Sequence, residues 1–427
     1  LVSLLLVAAV AAERFYYEGY KVYDMYPSSI EEVDFLHELM LTDDNLDFWE
    51  EPNRMGGKVT VMVAPEHQST FVGAVQAENL IMSIRHEDLG EHVQQFWEDY
   101  DTRRSQRAPG ILIDFDDFNT LEEIEEWMYS LESSECAAQG LFCEVRNIGS
   151  TYEGRDILSL RLASNEAVHK PSFWLDSTIH AREWLAPATT INVLNNLVSE
   201  YGVDSTVTRL VDTYDWYFVP VFNPDGYKYT HDNARYWRKN RSPVSSTCYG
   251  VDLNRNYDYN WGEEGVSHSP CSDLYCGESG ASELETQAVQ DEITRVNGLS
   301  GIQVLMTFHS YGNMWMHPWG NTINFNGVTC ERADDHDDMY SLAVVTADAI
   351  QATHNTRWSR GTSCEVIYET TGGTDDWAKG VEGVKYTICP ELRGNDFVVL
   401  PSQIALSFQE IWNGLVAQEA ELNVRQN

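Results

Sequence analysis

The chain has 427 residues, with 67 Asp and Glu against 28 Lys and Arg, and its formal net charge is −39 at pH 7. Nucleic acids and anionic membrane surfaces would repel such a protein, so we predict neither as a partner. Hydrophobic residues make up 43% of the sequence, an ordinary share for a globular protein. The length allows one large domain with a smaller one attached.

An apolar run, LVSLLLVAAVAA, occupies residues 1–12. It is too short to span a bilayer and ends in small residues at Ala9–Ala12, which is typical of a signal peptide; a buried helix is the alternative. Because Leu1 stands where a methionine and a basic leader are expected, the signal peptide is predicted to have a truncated start. Eight cysteines also fit an oxidising compartment. We therefore predict a secreted protein without membrane contact, and a digestive lumen is one setting that fits it.

Residues from about 15 to 100 alternate between strand and helix patterns. Three segments have strand patterns: Tyr20–Tyr26, Lys58–Val63 and Leu80–Arg85. A capped helix begins within Ser28–Glu32, and a second helix follows Pro65. This order predicts a small open-sandwich α/β domain over residues 13–107.

A basic segment, Asp101–Arg107, follows a polar helical stretch and contains Arg103, Arg104 and Arg107. It stands out in so acidic a chain. One interpretation is a solvated linker; we favour an exposed cleavage site for a trypsin-like protease. Cleavage there would release a fragment that begins near Ala108.

Strand-like and helix-like runs alternate over the remaining 300 or so residues. The strand candidates are Ile157–Leu162, Ser172–Asp176, Trp216–Val221, Val304–Phe308 and Lys385–Ile388. The helix candidates are Leu185–Tyr201, Ser282–Asn297, Asp338–Thr353 and Gln403–Leu422. This alternation predicts a second α/β domain, residues 108–427, with helices covering a central mixed β-sheet.

Three residues have the types and positions of a metal site. His180 and Glu183 follow the predicted strand at Ser172–Asp176 and are three residues apart, a spacing that is weak by itself. His309 directly follows another apolar strand, and open α/β sheets place ligand sites at the carboxyl ends of strands. Two histidines and one carboxylate with an open position are typical of catalytic zinc.

Three further segments strengthen this interpretation. Tyr236–Arg241 is a basic island, and Val251–Asn256 pairs an amide with a guanidinium, which suits recognition of a carboxylate. The third runs through Ile367–Trp377 and continues at Cys389–Arg393.

With these segments in this order, residues from about 110 to the end resemble the catalytic domain of the pancreatic-type (A/B) zinc metallocarboxypeptidases. Residues 15–107 resemble that family's activation domain. The resemblance implies one Zn²⁺ bound by His180, Glu183 and His309. It also implies that Glu391 is the general base and later the proton donor, and that Arg238 stabilises the oxyanion.

The resemblance further implies how peptide substrates with free C-termini are held. Three residues would hold the terminal carboxylate: Asn254, Arg255 and Tyr368. Arg182 would line the neighbouring subsite, Tyr311 belongs to the same substrate-binding set, and Asp252 would orient His180. The activation domain would act as an inhibitor of the enzyme, and we expect a monomer.

These roles are chemically coherent. Zinc lowers the pKa of a bound water, and a carboxylate such as Glu391 can take the proton as that water attacks the carbonyl. Arg238 can offset the negative charge of the tetrahedral intermediate. The fork-shaped guanidinium of Arg255 suits a free carboxylate better than a lysine would.

Specificity is predicted from Asp375, seven residues after Tyr368. A buried carboxylate here would pair with a Lys or Arg side chain, as in B-type enzymes, whereas A-type members carry an apolar residue at the matching position. Gly320 leaves room for a long side chain. The alternatives are that Asp375 is turned away or paired internally, like Asp376, and that specificity is A-type.

The cysteines are only partly assigned. The resemblance implies a Cys248–Cys271 disulfide, and Cys136 could form a local loop with Cys143. Four others stay open, as free thiols or in further disulfides: Cys276, Cys330, Cys364 and Cys389.

An inactive relative that binds peptides through the same fold is the remaining alternative. Such a protein should lack a metal ligand, Glu391 or Arg238, and this chain has all of them. An active exopeptidase is therefore the prediction.

Overall fold

A computed structural model describes residues 14–322 and 329–426. The predicted signal peptide, residues 1–12, lies outside these residues. Among the helices that are described, none combines the length and the hydropathy needed to cross a membrane. The described chain forms an N-terminal unit and a larger C-terminal unit, and the expected boundaries at residues 13–107 and 108–427 stay predictions.

The N-terminal unit is a four-stranded antiparallel sheet with helices packed on it. Its elements are β1 (Lys21–Tyr26), α1 (Ile30–Thr42), β2 (Leu46–Glu50), β3 (Val59–Val63), α2 (Gln68–Ala77), β4 (Ile81–His86) and α3 (Leu89–Gln106). The strand order is β2-β3-β1-β4. Alternate residues such as Tyr23 and Val61 bury one face against Leu36 and Phe71 of the helices. The predicted open sandwich is confirmed.

The C-terminal unit consists of an eight-stranded sheet with helices around it. Its elements are α4 (Leu121–Ser130), α5 (Cys136–Ala138), β5 (Phe142–Ser150), β6 (Asp156–Ala163), β7 (Ser172–Ser177), α6 (Leu185–Ser199), α7 (Ser205–Thr213), β8 (Asp215–Val219), α8 (Pro224–Asp232), α9 (Leu284–Ser300), β9 (Ile302–Ser310), β10 (Met314–His317), α10 (His336–His354), β11 (Ser359–Thr362), α11 (Ser363–Val366), α12 (Thr374–Gly380), β12 (Tyr386–Leu392) and α13 (Ser402–Gln426).

The sheet of this unit is mixed, with the order β11-β10-β12-β9-β7-β8-β6-β5. Its centre, β12-β9-β7-β8, is parallel, whereas β5, β6 and β8 pair antiparallel. Helices cover both faces of the central strands, so these strands are buried along almost their whole length and are largely apolar. The predicted mixed sheet flanked by helices is confirmed. The parallel strands also bring the carboxyl ends of β7, β9 and β12 to the same edge.

One buried acid makes the stability of this fold depend on pH. Glu285, near the start of α9, is 1% exposed and accepts a hydrogen bond from Asn240 at 3.1 Å. Burial raises its pKa from 4.5 to about 7. The folded chain therefore binds this proton more tightly than the unfolded chain, so stability falls as the pH rises from 4.5 through 7.

Replacing Glu285 with Gln removes the free-energy cost of ionising this buried carboxyl group. We expect E285Q to raise the free energy of unfolding at pH 8 by about 2 kcal/mol, because one pKa unit corresponds to about 1.4 kcal/mol and part is lost in repacking. At pH 4.5, where the folded wild-type protein keeps Glu285 protonated, E285Q should gain no stability and should show only the cost of repacking. Denaturant unfolding at both pH values checks this; an equal difference at both would contradict it.

Candidate active site

Three side chains meet where β7 and β9 end. His180 and Glu183 lie in the turn between β7 and α6, and His309 is the penultimate residue of β9. All three are buried, and one ligand atom from each lies within 4.8 Å of those of the other two. The structure thus brings together the three residues that the sequence predicted as a metal site.

The donor atoms of these three side chains point at one another. The Nδ1 atom of His180 lies 2.7 Å from Glu183 Oε1 and 3.2 Å from His309 Nδ1, and His309 Nδ1 lies 3.2 Å from Glu183 Oε2. Two ligands on a tetrahedral zinc are about 3.3 Å apart when the Zn–N distance is about 2.0 Å. Two nitrogens and a carboxylate that converge at this spacing fit zinc.

Asp252 fixes the orientation of His180. Its Oδ1 atom lies 3.0 Å from His180 Nε2, and its Oδ2 atom accepts hydrogen bonds from Arg238 at 2.9 and 3.2 Å. Despite burial, the positive charge of Arg238 and the hydrogen bond from His180 hold the pKa of Asp252 well below its usual range. An ionised Asp252 accepts a hydrogen bond from the Nε2–H of His180, which leaves the Nδ1 lone pair of His180 directed at the cluster.

Glu391 lies beside the cluster because β12 pairs with β9. Glu391 is directly opposite His309 in this parallel register. Its Oε2 atom is buried without a hydrogen-bond partner among the described residues. Burial raises the pKa of Glu391 well above its usual range, and the carboxylates of Glu183 and Glu51 add to the effect. A carboxyl group in this state is suited to exchange a proton.

Asn254, Arg255 and Tyr368 form a second polar group next to the cluster. Arg255 donates a 2.6 Å hydrogen bond to the Tyr368 hydroxyl, and Asn254 Nδ2 lies 3.5 Å from His309 Nε2. The loop after Tyr368 approaches Arg255 closely: a Cβ on Gly372 would be 2.5 Å from the Arg255 carbonyl oxygen, and Gly372 has a φ of +75°. Glycine therefore positions this group.

Asp375, at the start of α12, is buried and accepts a 3.3 Å hydrogen bond from Ser363. Both carboxylate oxygens of its neighbour Asp376 accept a hydrogen bond from the Gly320 backbone N–H, at 2.9 and 3.2 Å. No Lys, Arg or His forms a salt bridge with Asp375 within residues 14–322 and 329–426. Burial raises the pKa of both carboxyl groups.

A third carboxyl group, Asp176 at the end of β7, belongs to the same electrostatic environment. Burial raises its pKa to about 6, and the charge of Asp375 contributes. Asp176, Asp375 and Asp376 accept hydrogen bonds but form no salt bridge among the described residues, and three neighbouring buried acids would favour a cation in this region.

The N-terminal unit covers Arg182, one of the predicted substrate-binding residues. Arg182, 1% exposed, donates to both carboxylate oxygens of Asp47 on β2, each at 2.8 Å. Tyr311 packs against Phe397, with ring centroids 5.0 Å apart, rather than joining the group around Arg255. No sequence pattern indicated that Asp47 would contact Arg182.

Other residues of the N-terminal unit also close the cleft. Glu51 lies beside Arg182 and Arg238, and Trp49 stacks on Tyr236 with ring centroids 4.6 Å apart. Tyr368 is buried against the N-terminal unit. The candidate site is therefore inaccessible to a peptide in this structure.

The side chains of the predicted cleavage residues are less exposed than expected. Helix α3 continues to Gln106, so Arg103 and Arg104 are helical, and they pair with Asp117 and Glu123. The Arg107 side chain is only 12% exposed because Asp114 and Glu123 hold it. The residues on either side of Arg107, 105–106 and 108–110, are exposed instead.

The described part of the chain contains three disulfides, all in the C-terminal unit. The structure pairs Cys248 with Cys271, Cys136 with Cys143 and Cys330 with Cys364. The two remaining thiols, Cys276 and Cys389, are free and buried.

Comparison with known proteins agrees with this geometry. The family model described as "Zinc carboxypeptidase" matches residues 124–414, and the one described as "Carboxypeptidase activation peptide" matches residues 23–95. Carboxypeptidase B of Astacus astacus is 40% identical over 308 residues, which are 71% of this chain and 96% of the relative. Carboxypeptidase A2 of Rattus norvegicus is 36% identical over 402 residues, 93% and 92% of the two chains.

Solved structures are similar over nearly the whole chain. The carboxypeptidase A of Helicoverpa armigera has a TM-score of 0.85 at 26% identity, covering 96% of this chain and 98% of that one. Thrombin-activatable fibrinolysis inhibitor has a TM-score of 0.80 at 27% identity, covering 94% and 98%.

The fold and the metal cluster define a zinc-dependent peptide hydrolase preceded by an inhibitory domain. The chain belongs to the zinc carboxypeptidase family and carries that family's activation peptide, so it is a zinc carboxypeptidase precursor. From here the N-terminal unit is called the activation domain and the C-terminal unit the catalytic domain.

Proposed function

We propose that the mature enzyme removes single Lys or Arg residues from peptide C-termini, and that His180, Glu183 and His309 hold its zinc. When bound, zinc supplies a Lewis acid and a water of lowered pKa. Glu391 takes the proton from the attacking water and then delivers it to the leaving amine. Arg238, oriented by Asp252, neutralises the charge that develops on the scissile carbonyl oxygen.

Recognition of the free C-terminus falls to Asn254, Arg255 and Tyr368. A guanidinium and an amide next to the metal cluster form a fork of hydrogen-bond donors that matches a carboxylate. An internal peptide bond offers no charge to this group. The reaction we propose is therefore exopeptidase cleavage, with Arg182 and Tyr311 further along the bound peptide.

One observation carries the proposed basic specificity: Asp375 is a buried carboxylate that forms a salt bridge with no described cation. An unpaired buried charge costs several kcal/mol, and a substrate Lys or Arg would remove that cost. Asp376 is different, because the Gly320 backbone already satisfies it. The relative named carboxypeptidase B, at 40% identity, supports the same assignment. The relative named carboxypeptidase A2, at 36% identity, supports the alternative, which is A-type specificity for apolar side chains.

A peptide mixture tests the reaction and the specificity together. After treatment with trypsin, the enzyme is incubated with blocked peptides that differ only in a terminal Lys, Arg, Phe or Leu, and with the same peptides as C-terminal amides. Mass spectrometry should show loss of one residue from the Lys and Arg acids, with none from the amides. Preferred release of Phe or Leu would overturn the B-type assignment, and cleavage of the amides would overturn the carboxylate-recognition roles.

The proposal also covers how the precursor is secreted and activated. We propose that the protein is secreted as a monomer and that a trypsin-like protease cleaves it beside Arg103, Arg104 or Arg107. The exposed residues 108–110 support a cut next to Arg107. N-terminal sequencing of the tryptic product should give a chain that begins near Ala108; a precursor that stays intact in this segment would contradict the proposal.

Latency should depend on the ion pair between Asp47 and Arg182. Replacing Asp47 with Ala removes a bidentate, largely buried contact, whose loss costs about 3 kcal/mol or more in comparable pairs. We expect the D47A precursor to hydrolyse a small peptide at least tenfold faster than the wild-type precursor before trypsin is added. Asp44→Ala is the matched control, because Asp44 contacts Ser269 instead of Arg182. Equal precursor activities in D47A and wild type would contradict this account of latency.

A further inference from the structure

A second cluster of metal-binding side chains lies at the boundary between the two domains. His86 ends β4 and His92 lies in the first turns of α3, both in the activation domain, whereas Asp396 belongs to the loop after β12 in the catalytic domain. One ligand atom from each residue lies within 4.8 Å of those of the other two. None of the three belongs to the candidate active site.

The geometry directs these side chains at one another. His86 Nε2 lies 3.6 Å from Asp396 Oδ2, and the rings of His86 and His92 have centroids 4.7 Å apart. The other oxygen, Asp396 Oδ1, already accepts a 2.9 Å hydrogen bond from the backbone N–H of Val398. Oδ2 is therefore the atom that Asp396 offers to the histidines.

Two features set this cluster apart from an ordinary surface ion pair. The Nε2 atom of His92 is shielded from solvent and has no hydrogen-bond partner among the described residues, a state that costs free energy unless something binds there. Asp396 is only 11% exposed at its side chain, and His86 20%. The cluster is also well anchored, because Arg85, next to His86, donates a 2.9 Å hydrogen bond to the Asn395 carbonyl across the same boundary.

We propose that His86, His92 and Asp396 bind a divalent transition-metal ion of the zinc class, which links the activation domain to the catalytic domain. Two imidazoles and a carboxylate are ligands that suit Zn²⁺, with water in the remaining position. Closing the ligand atoms from within 4.8 Å to the roughly 3.3 Å spacing of a tetrahedral site requires side-chain movements of about 1 Å. Two arginines of this region do not compete for Asp396, because Arg235 donates to the backbone carbonyls of Arg182 and Phe397, and Arg85 donates to the Asn395 carbonyl and to Glu50.

The placement of the three ligands gives the site a function. Two of them leave with the activation domain after cleavage, and the third stays beside the strand that carries Glu391. The metal can therefore bind only while the domains are together. It would stabilise the precursor and delay release of the activation domain, in addition to the contact between Asp47 and Arg182.

Metal counting on the full-length precursor tests this. After equilibrium dialysis against micromolar Zn²⁺, the wild-type precursor should hold two zinc ions per chain, one at each cluster. His86→Gln and His92→Gln precursors should hold one, as should the catalytic domain isolated after tryptic cleavage. Zinc in excess of the first ion should also raise the unfolding temperature of the wild-type precursor but not of either variant.

A matched control is available within the same domain. His37 lies 3.6 Å from Glu369 across the domain boundary, the same distance as His86 from Asp396, but without a second histidine. His37→Gln should therefore keep both zinc ions. The proposal is overturned if the wild-type precursor holds one zinc ion, if both His86→Gln and His92→Gln keep the second, or if the second stays on the isolated catalytic domain. The comparison of precursor with isolated domain decides the matter even if one variant does not fold.

Discussion

Replacing Glu391 with Gln should lower kcat of the mature enzyme by about 10³-fold or more, while the zinc content stays unchanged. General acid–base catalysis contributes about 10²- to 10⁴-fold, and Glu391 is proposed to act in two proton transfers. Glutamine has nearly the same shape, so the strand register opposite His309 should be kept. The amide can neither accept nor deliver the proton, which is why the effect should appear in kcat rather than KM.

The measurement is steady-state kinetics of E391Q with a Lys-terminal peptide, together with metal analysis. Glu421→Gln is a suitable control, because Glu421 on α13 pairs with Arg425 on the same helix and with no other charged residue in the described part of the chain, so kcat should stay unchanged. If E391Q keeps more than a tenth of wild-type kcat, Glu391 is not the base. If its zinc is lost, the variant has disturbed the metal cluster and the base assignment fails as well.

Replacing Asp375 with Ile should change which residue the enzyme releases. We expect kcat/KM for Lys- and Arg-terminal peptides to fall by about 10²- to 10³-fold, because breaking a buried ion pair costs about 3–5 kcal/mol. The same variant should gain activity on Leu- and Phe-terminal peptides. Ser363, which donates to Asp375, and the Asp376 contact to Gly320 remain in place to support the pocket.

The two classes of peptide act as each other's control, because a folding defect would lower both rates together. Asp375→Asn should have an intermediate kcat/KM for Lys- and Arg-terminal peptides, because it keeps a polar side chain without the charge. A fall of similar size for Leu and Lys peptides in D375I would contradict the assigned role of Asp375, and so would an unchanged rate on Lys peptides.

Sequence alone predicted most of the fold because its strongest signals are local. The central strands at Ser172–Asp176 and Val304–Phe308 are largely apolar on both faces, and the structure lengthens them by only one or two residues at an end. Helix α1 begins where its Ser29 cap predicts. His180, Glu183 and His309 could be grouped in advance because each follows or ends such a strand.

The features that sequence missed depend on contacts between distant segments. β2, with the sequence LDFWE, mixes acidic and aromatic residues and has no clear alternation, yet it carries Asp47 to Arg182. Helix α3 extends to Gln106 because acids of the catalytic domain hold Arg103 and Arg104, a partnership that no local pattern reveals. The Cys330–Cys364 disulfide was likewise left open, since spacing does not choose among pairings.

One ratio tests the central proposal most directly: kcat/KM for an Arg-terminal peptide divided by kcat/KM for the matched Leu-terminal peptide. It is measured on the trypsin-treated wild-type enzyme with and without a zinc chelator. We predict a ratio of about 10² or more, from the pairing of a substrate cation with buried Asp375, and loss of both activities in chelator. A ratio below one, or activity that survives removal of zinc, would contradict the account.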